Sequence, residues 1–274
     1  MHTATLFADQ SLARRVERSE ALHAADYITA MEQLSPEHGS ATLPVAGGYA
    51  VAMGAGFPLN RAIGLGLNEP IRATDLDRIE EFYRSRNLPV EIELCPLADH
   101  ALMELLNKRG YSLQRFLNML ARPLIHAEAT HLPTPSIHIT TIGSGEAELW
   151  AQAAAHSGVG LSMLPRDHWA LTLSRVTAHR PDVTCFMAWI ENKPAGTAAL
   201  LTRDGVATLF SASTLPAFRK RGVQAALIRA RLAAAAAVGC DLATMMAVPG
   251  NESQRNMQRL GFQVVYTKAV MVRA

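Results

Sequence analysis

Along residues 137–273 the spacing of apolar positions switches repeatedly between the period of two that marks strands and the period of 3.6 that marks helices. IHITTI (137–142) alternates in strand fashion, whereas GEAELWAQAAAHSGVG (145–160) and PRDHWALTLSRVTAHR (165–180) carry helical spacing. TCFMAWI, TAALLT and VATLFSAS then read as three strands, and the turn chemistry of ENKPAG and RDG between them predicts an antiparallel meander. A long alanine-rich helix begins near Gly222. It is followed by a buried strand DLATMMAV, a short helix ESQRNMQRL and a last strand FQVVYTKAVMVR.

The N-terminal half repeats the later part of this order. GYAVAMG and RAIGLGL are strands, TDLDRIEEFYRSR a helix, VEIELCP a strand, DHALMELLNKRG a helix and YSLQRFLNMLAR a strand. Details recur too: Pro96, a helix and Gly110-Tyr111 parallel Pro249, a helix and Gly261-Phe262. Between the copies, HAEATHLPTPS (126–136) has the two prolines and small polar residues of a linker, which puts the division near Leu132. The pattern therefore predicts an α/β (α+β) chain of two mixed-sheet domains, 1–132 and 133–274. Each is an antiparallel meander followed by α-β-α-β.

Composition changes this picture little. The 274 residues carry a formal net charge of +2 and an apolar fraction of 49%, so any charge argument has to be local. Three widely separated cysteines (Cys95, Cys185, Cys240) fit neither a disulfide framework nor a structural zinc site. His156, His168 and His179 form no H-x-x-x-H or H-E-x-x-H motif, so no metal is expected. The N-terminus meets charge before any apolar run of signal length, and no run approaches ~18 residues. A reducing, cytoplasmic setting without membrane or nucleic-acid partners is the expectation. A homo-oligomer is compatible with it.

One short stretch does change the picture. In SASTLPAFRKRGVQAAL a strand ends near Ser213 and a helix starts near Gly222, with Arg219, Lys220 and Arg221 stacked against the positive end of that helix. Such a corner asks for an anion. The first turn of a helix leaves backbone N–H groups without internal partners, and a glycine there lets a phosphate approach the main chain. Neither a Walker loop nor a dinucleotide fingerprint is present, and the turn follows a meander rather than a first parallel strand. A pyrophosphate at the splay between VATLFSAS and DLATMMAV satisfies these features.

The segment LPAFRKRGVQAAL, with the strand before it and GNESQRNMQRLGF after it, resembles the acetyl-coenzyme A site of the GNAT-superfamily N-acetyltransferases. Their signature is Gln/Arg-x-x-Gly-x-Gly/Ala. Arg219 and Gly222 match its first two positions, and Gln224 stands where the family usually has glycine or alanine. The resemblance covers residues 136–274. It implies acetyl-CoA as acyl donor, its pyrophosphate held by the amides of Gly222, Val223, Gln224 and Ala225 beside Arg219 and Arg221. It also implies that Ser213 and Thr214 offer backbone groups to the pantetheine arm, with Asn251 and Asn256 as polar contacts to it. Activity on a primary amine follows from the same resemblance; small amines, amino acids, aminoglycosides and protein N-termini stay open as acceptors, a small molecule being the expectation.

The catalytic groups are not assigned. The strand Ala207–Ser213 holds no acid, Asp204 and Glu191 sit in turns, and Met257 stands where relatives often carry a proton-donating tyrosine. Ser253 reads equally as a helix N-cap or a donor. These gaps favour a rival reading, a non-catalytic coenzyme A sensor or interaction module. At the matching turn of the first copy, PIRATDLDRIEE has no glycine and places Asp75, Asp77, Glu80 and Glu81 early in the helix, where carboxylates satisfy the helix end and repel a pyrophosphate. The first copy is thus expected to be a degenerate, tandem partner.

Overall fold

The first regular element, α1 (Gln10–Leu34), is a 25-residue helix that the strand and helix periods above do not predict. Asp9 caps it, its side chain accepting the Leu12 N–H at 2.8 Å. Its buried face mixes Ala13, Val16, Ile28 and Met31 with Glu17, Ser19 and Glu20. Buried carboxylates on the core side blur the apolar stripe that would reveal such a helix. A short strand, β1 (Ala41–Val45), is likewise additional.

The computed structural model describes residues 5–125, 136–156 and 169–273. Leu132, where the sequence puts the division, lies outside them, as do residues 157–160 and 165–168 of the two expected helices. By contacts the chain forms two units.

The first unit comprises Phe7–Met119, Ala247–Pro249 and the chain from Val264 onwards. Its strands β1, β2 (Gly48–Ala52), β3 (Arg61–Ile63), β4 (Val90–Leu94) and β11 (Gln263–Arg273) lie side by side in that order. The first three pair antiparallel, β3 meets β4 in parallel at Ala62 and Ile92, and β11 runs antiparallel to β4 from Ala269↔Leu94 to Arg273↔Val90. The last strand of the chain is therefore packed with the first half. Helices α2 (Ala73–Arg84) and α3 (His100–Lys108) bury Leu76, Ile79, Phe82, Leu102 and Leu106 in the core of this unit.

That core also holds an ionic cluster. Lys268 Nζ lies 3.0 Å from Glu17 Oε1 and 2.8 Å from Glu93 Oε2, Arg61 Nε lies 2.8 Å from Glu93 Oε1, and the Tyr266 hydroxyl donates to Glu17 at 2.9 Å. Burial works against charge on Glu93, but Arg61 and Lys268 together hold its carboxyl below the usual range. For Glu20, buried in the same unit, Lys268 and Arg61 offset the burial only in part. Burial pushes its pKa up to about 7 against the pull of Lys268, and Glu17 and Glu93 add to the rise. A folded-state pKa above the unfolded value means that Glu20 favours folding below about pH 4.5 and that this contribution is lost as pH rises through 7. Glu20→Gln, neutral at every pH, is expected to raise stability by up to about 3 kcal/mol at pH 8 and to change it little at pH 4.5. Urea unfolding midpoints of the two proteins at both pH values measure this, and an equal difference at both would refute it.

The second unit comprises Leu120–Met246 and Gly250–Gln263. Strands β6 (His138–Thr141), β7 (Val183–Ile190), β8 (Lys193–Arg203) and β9 (Val206–Thr214) form the expected antiparallel meander, and β10 (Leu242–Ala247) pairs with β9 in parallel. The β7–β8 and β8–β9 turns place Glu191-Asn192 and Asp204-Gly205 at positive φ, the primed geometry of two-residue hairpins. Helices α4 (Ala147–His156), α5 (Ala170–His179), α6 (Val223–Ala237) and α7 (Glu252–Arg259) belong to this unit too. Strand β5 (Ser112–Pro123) is divided between the units, its residues to Met119 counted with the first. Among the described residues no helix is long and apolar enough to cross a membrane, and no group of side chains is arranged to hold a metal ion.

Candidate functional site

In the second unit β9 and β10 stay paired only over Val206–Thr208, in register with Leu242–Thr244. Beyond that point β9 continues beside β8 alone, so its other edge opens. Thr208 and Thr244 form the last pair before the strands part, and Thr244 Oγ1 is buried without a hydrogen-bond partner among the described residues.

Past the splay, β9 carries a bulge. Its register against β8 shifts between Thr197 and Ala199, and Ser211 adopts φ +46. The Leu215 N–H donates to Ala195 O at 3.0 Å. Because main-chain groups alternate sides along a strand, this turns the backbone of Ser213 toward β8 and that of Thr214 toward the open edge. The Ser213 side chain is engaged as well, its hydroxyl 2.6 Å from Thr197 Oγ1. Of the two strand residues singled out in the sequence, Thr214 is the one that faces the opening.

A 3-10 turn, Pro216–Phe218, then leads into the cationic loop. Lys220 and Gly222 have φ +62 and +83, and Gly222 is the N-cap of α6 without any side-chain cap. Its carbonyl accepts the Ala226 N–H at 3.0 Å, while the N–H groups of Val223, Gln224 and Ala225 belong to the first turn and have no partner within the helix. Among the described residues the space above Gly222 is open: a methyl group there would meet only Ile137 Cδ1, at 3.9 Å. Arg219 and Arg221 are exposed beside it. Arg221 lies 3.6 Å from Glu191 and 5.6 Å from the Phe218 ring centroid, so its guanidinium is held near the loop by weak, solvent-screened contacts.

Two features missed by sequence reasoning fix this corner. Gly196 on β8 lets the first turn of α6 approach the sheet, since a Cβ there would fall 2.6 Å from Ser213 O and 2.8 Å from Val223 Cγ1. Arg231 on α6 is buried, and donates to Leu227 O, Ala199 O and Phe210 O at 3.2, 3.2 and 3.4 Å. A glycine inside a strand carries a sequence signal of close backbone approach. An arginine in an alanine-rich helix carries none.

The remaining expected residues divide. Asn256 Nδ2 donates to Gln224 Oε1 at 2.5 Å, which brings both to the first turn of α6. Asn251 instead caps α7, its side chain accepting the Gln254 N–H at 2.8 Å, so Asn251 and not Ser253 is the N-cap. Met257 is buried and contributes packing. His156 and His179 are exposed, each ring within hydrogen-bond distance of the carbonyl four residues back, and His168 lies outside the described residues.

At the corresponding corner of the first unit, protein groups take up several of the main-chain partners. The Arg72 N–H at the start of α2 donates to Asp75 Oδ2 at 2.9 Å, and beyond β3 the carbonyls of Gly66 and Leu67 accept from the Asp99 N–H and Arg14 Nε, both at 2.8 Å.

A meander, a parallel pair that splays, and a helix whose amide-lined start opens beside two arginines define an α/β domain with an open, cationic corner. Residues 150–262 match the model of the acetyltransferase (GNAT) family, so this stretch carries a GNAT acetyltransferase domain. No curated protein matches the sequence. Among solved structures, a GCN5-related N-acetyltransferase from Kribbella flavida is 19% identical with a TM-score of 0.63, covering 91% of this chain and 95% of that one. A tandem GNAT protein from the clavulanic acid biosynthesis pathway is 12% identical with a TM-score of 0.55, covering 82% and 73%. A GCN5-related N-acetyltransferase from Sphaerobacter thermophilus is 17% identical with a TM-score of 0.54, covering 72% and 66%. At these identities the likeness is one of fold.

Proposed function

We propose that the protein is an acetyl-CoA-dependent N-acetyltransferase that moves an acetyl group to a primary amine of a small-molecule acceptor, with the second of two GNAT-like halves binding the acyl donor. The observation that carries this reading is the first turn of α6, with unpartnered amides, open space over Gly222, and Arg219 and Arg221 alongside. That donor set fits a pyrophosphate, because amides and guanidinium groups each offer charge-assisted hydrogen bonds to phosphate oxygens. The edge of β9 at Thr214 supplies main-chain groups to an extended pantetheine arm. Acetyl-CoA would contribute the activated thioester, which the splay would hold with its carbonyl against a polarising β9 N–H. In the first unit Asp75 satisfies the helix start and repels phosphate, which supports a single donor site.

Calorimetric titration with acetyl-CoA is expected to give one site per chain. Two sites, or none, would sink the reading. Buried Met257 and a β9 without acid favour the second reading, a non-catalytic acetyl-CoA or CoA sensor. Thiol release with a panel of amines separates the two: turnover supports the enzyme, and tight binding without turnover supports the sensor. An unassisted thiolate, of pKa about 8.5, is a tolerable leaving group, so the missing tyrosine does not itself forbid turnover.

A further inference from the structure

Arg231 stands two turns and more into α6, away from the phosphate corner, yet its guanidinium reaches across to β9 beside the bulge. Nη1 donates to Ala199 O on β8 at 3.2 Å and to Phe210 O on β9 at 3.4 Å, while Nε is anchored on Leu227 O within the helix. Ala199 and Phe210 are cross-strand partners directly before the register shift, and Ser211, the next residue, has the positive φ of the bulge. The side chain is 2% exposed, and burial alone lowers its pKa to about 9, with no acidic group offsetting it. A buried cation held only by main-chain carbonyls is costly unless the geometry it imposes is needed.

The bulge decides what the end of β9 presents. One extra residue on β9 reverses which side each later main-chain group faces, in the way a one-residue slip reverses a strand. With the bulge in place Thr214 faces the open edge and Ser213 faces β8. Without it the two exchange, and the edge offered to an extended ligand moves by one residue.

We infer that Arg231 is a positioning residue for the acyl donor: by hydrogen-bonding both carbonyls that precede the bulge, it fixes the offset of β9 and so aims the main-chain groups of its open edge at the pantetheine arm. This rests on the proposed donor site. It separates two parts of that site, since the phosphate loop at Gly222 does not depend on Arg231 whereas the strand edge does.

The test titrates three probes into the full chain: adenosine 3′-phosphate 5′-diphosphate, which is the head group without the arm, then coenzyme A and acetyl-CoA. Arg231→Met keeps the length of the stem and removes the donors. It is expected to weaken both arm-bearing ligands by about tenfold or more while the head group binds within about twofold of wild type, the loss matching one or two main-chain hydrogen bonds to the arm. Arg231→Lys, which keeps charge and one donor, is expected to fall between the two proteins for coenzyme A and to leave the head group unchanged. It carries the test if the methionine variant does not fold. Head group and coenzyme A weakened in equal proportion would mark a merely structural residue and overturn the proposal, as would coenzyme A affinity unchanged in both variants. Wild type that binds none of the three probes would instead remove the donor site itself.

Discussion

Gly222→Glu is expected to abolish acetyl-CoA binding, lowering affinity by at least about a hundredfold in calorimetric titration while leaving the thermal unfolding midpoint within a few degrees. Two physical effects add. At φ +83 a side chain is strained, although among the described residues the space above it is open and none is displaced. The carboxylate then stands where the first-turn amides converge, takes their hydrogen bonds and repels the diphosphate; two displaced charge-assisted hydrogen bonds at about 1.5–3 kcal/mol each account for the size. Gly222→Ala separates the effects, since it keeps the strain and adds no charge: a loss of only a few fold is expected. Equal losses for alanine and glutamate would show that backbone conformation, and not the anion seat, matters at this position.

The second large effect lies in the first unit. Lys268→Met is expected to destabilise the protein by about 3–5 kcal/mol, because it removes the cation held between Glu17 and Glu93 and leaves two buried carboxylates. Arg61 still pairs with Glu93, but Glu17 keeps only the Tyr266 hydroxyl. Adding Glu17→Gln to Lys268→Met is therefore expected to recover part of the loss. Denaturant unfolding of the single and double variants measures both. A single variant within about 1 kcal/mol of wild type would mean that the cluster contributes no net stability, the outcome known for some buried ion pairs replaced by apolar groups.

Much of the second unit is legible in its residues. The meander, the alanine-rich helix and the strand that follows each follow from apolar spacing bounded by turn chemistry, and the turns at Glu191-Asn192 and Asp204-Gly205 fall where ENKPAG and RDG put them. The proposed anion seat is legible for a related reason. Its donors are main-chain groups at a helix start, and the start is marked locally by Pro216, the cationic run and Gly222. Helix α1 is not legible, because Glu17 and Glu20 on its buried face belong to an ionic cluster whose other members come from β3, β4 and β11.

Local chemistry therefore determines the elements, their order and the cationic, amide-lined corner proposed to seat an anion, since backbone conformation and helix-end donors depend on residues a few positions apart. Pairing across long separations is decided by the tertiary structure. That β11 lies against β4, that Asn251 serves α7 while Asn256 meets Gln224, and that Arg231 reaches the β9 bulge are all outcomes of packing. An internal repeat records which elements follow one another. It says nothing of which neighbour satisfies a strand's hydrogen bonds, because any edge of matching length and apolarity offers the same main-chain groups.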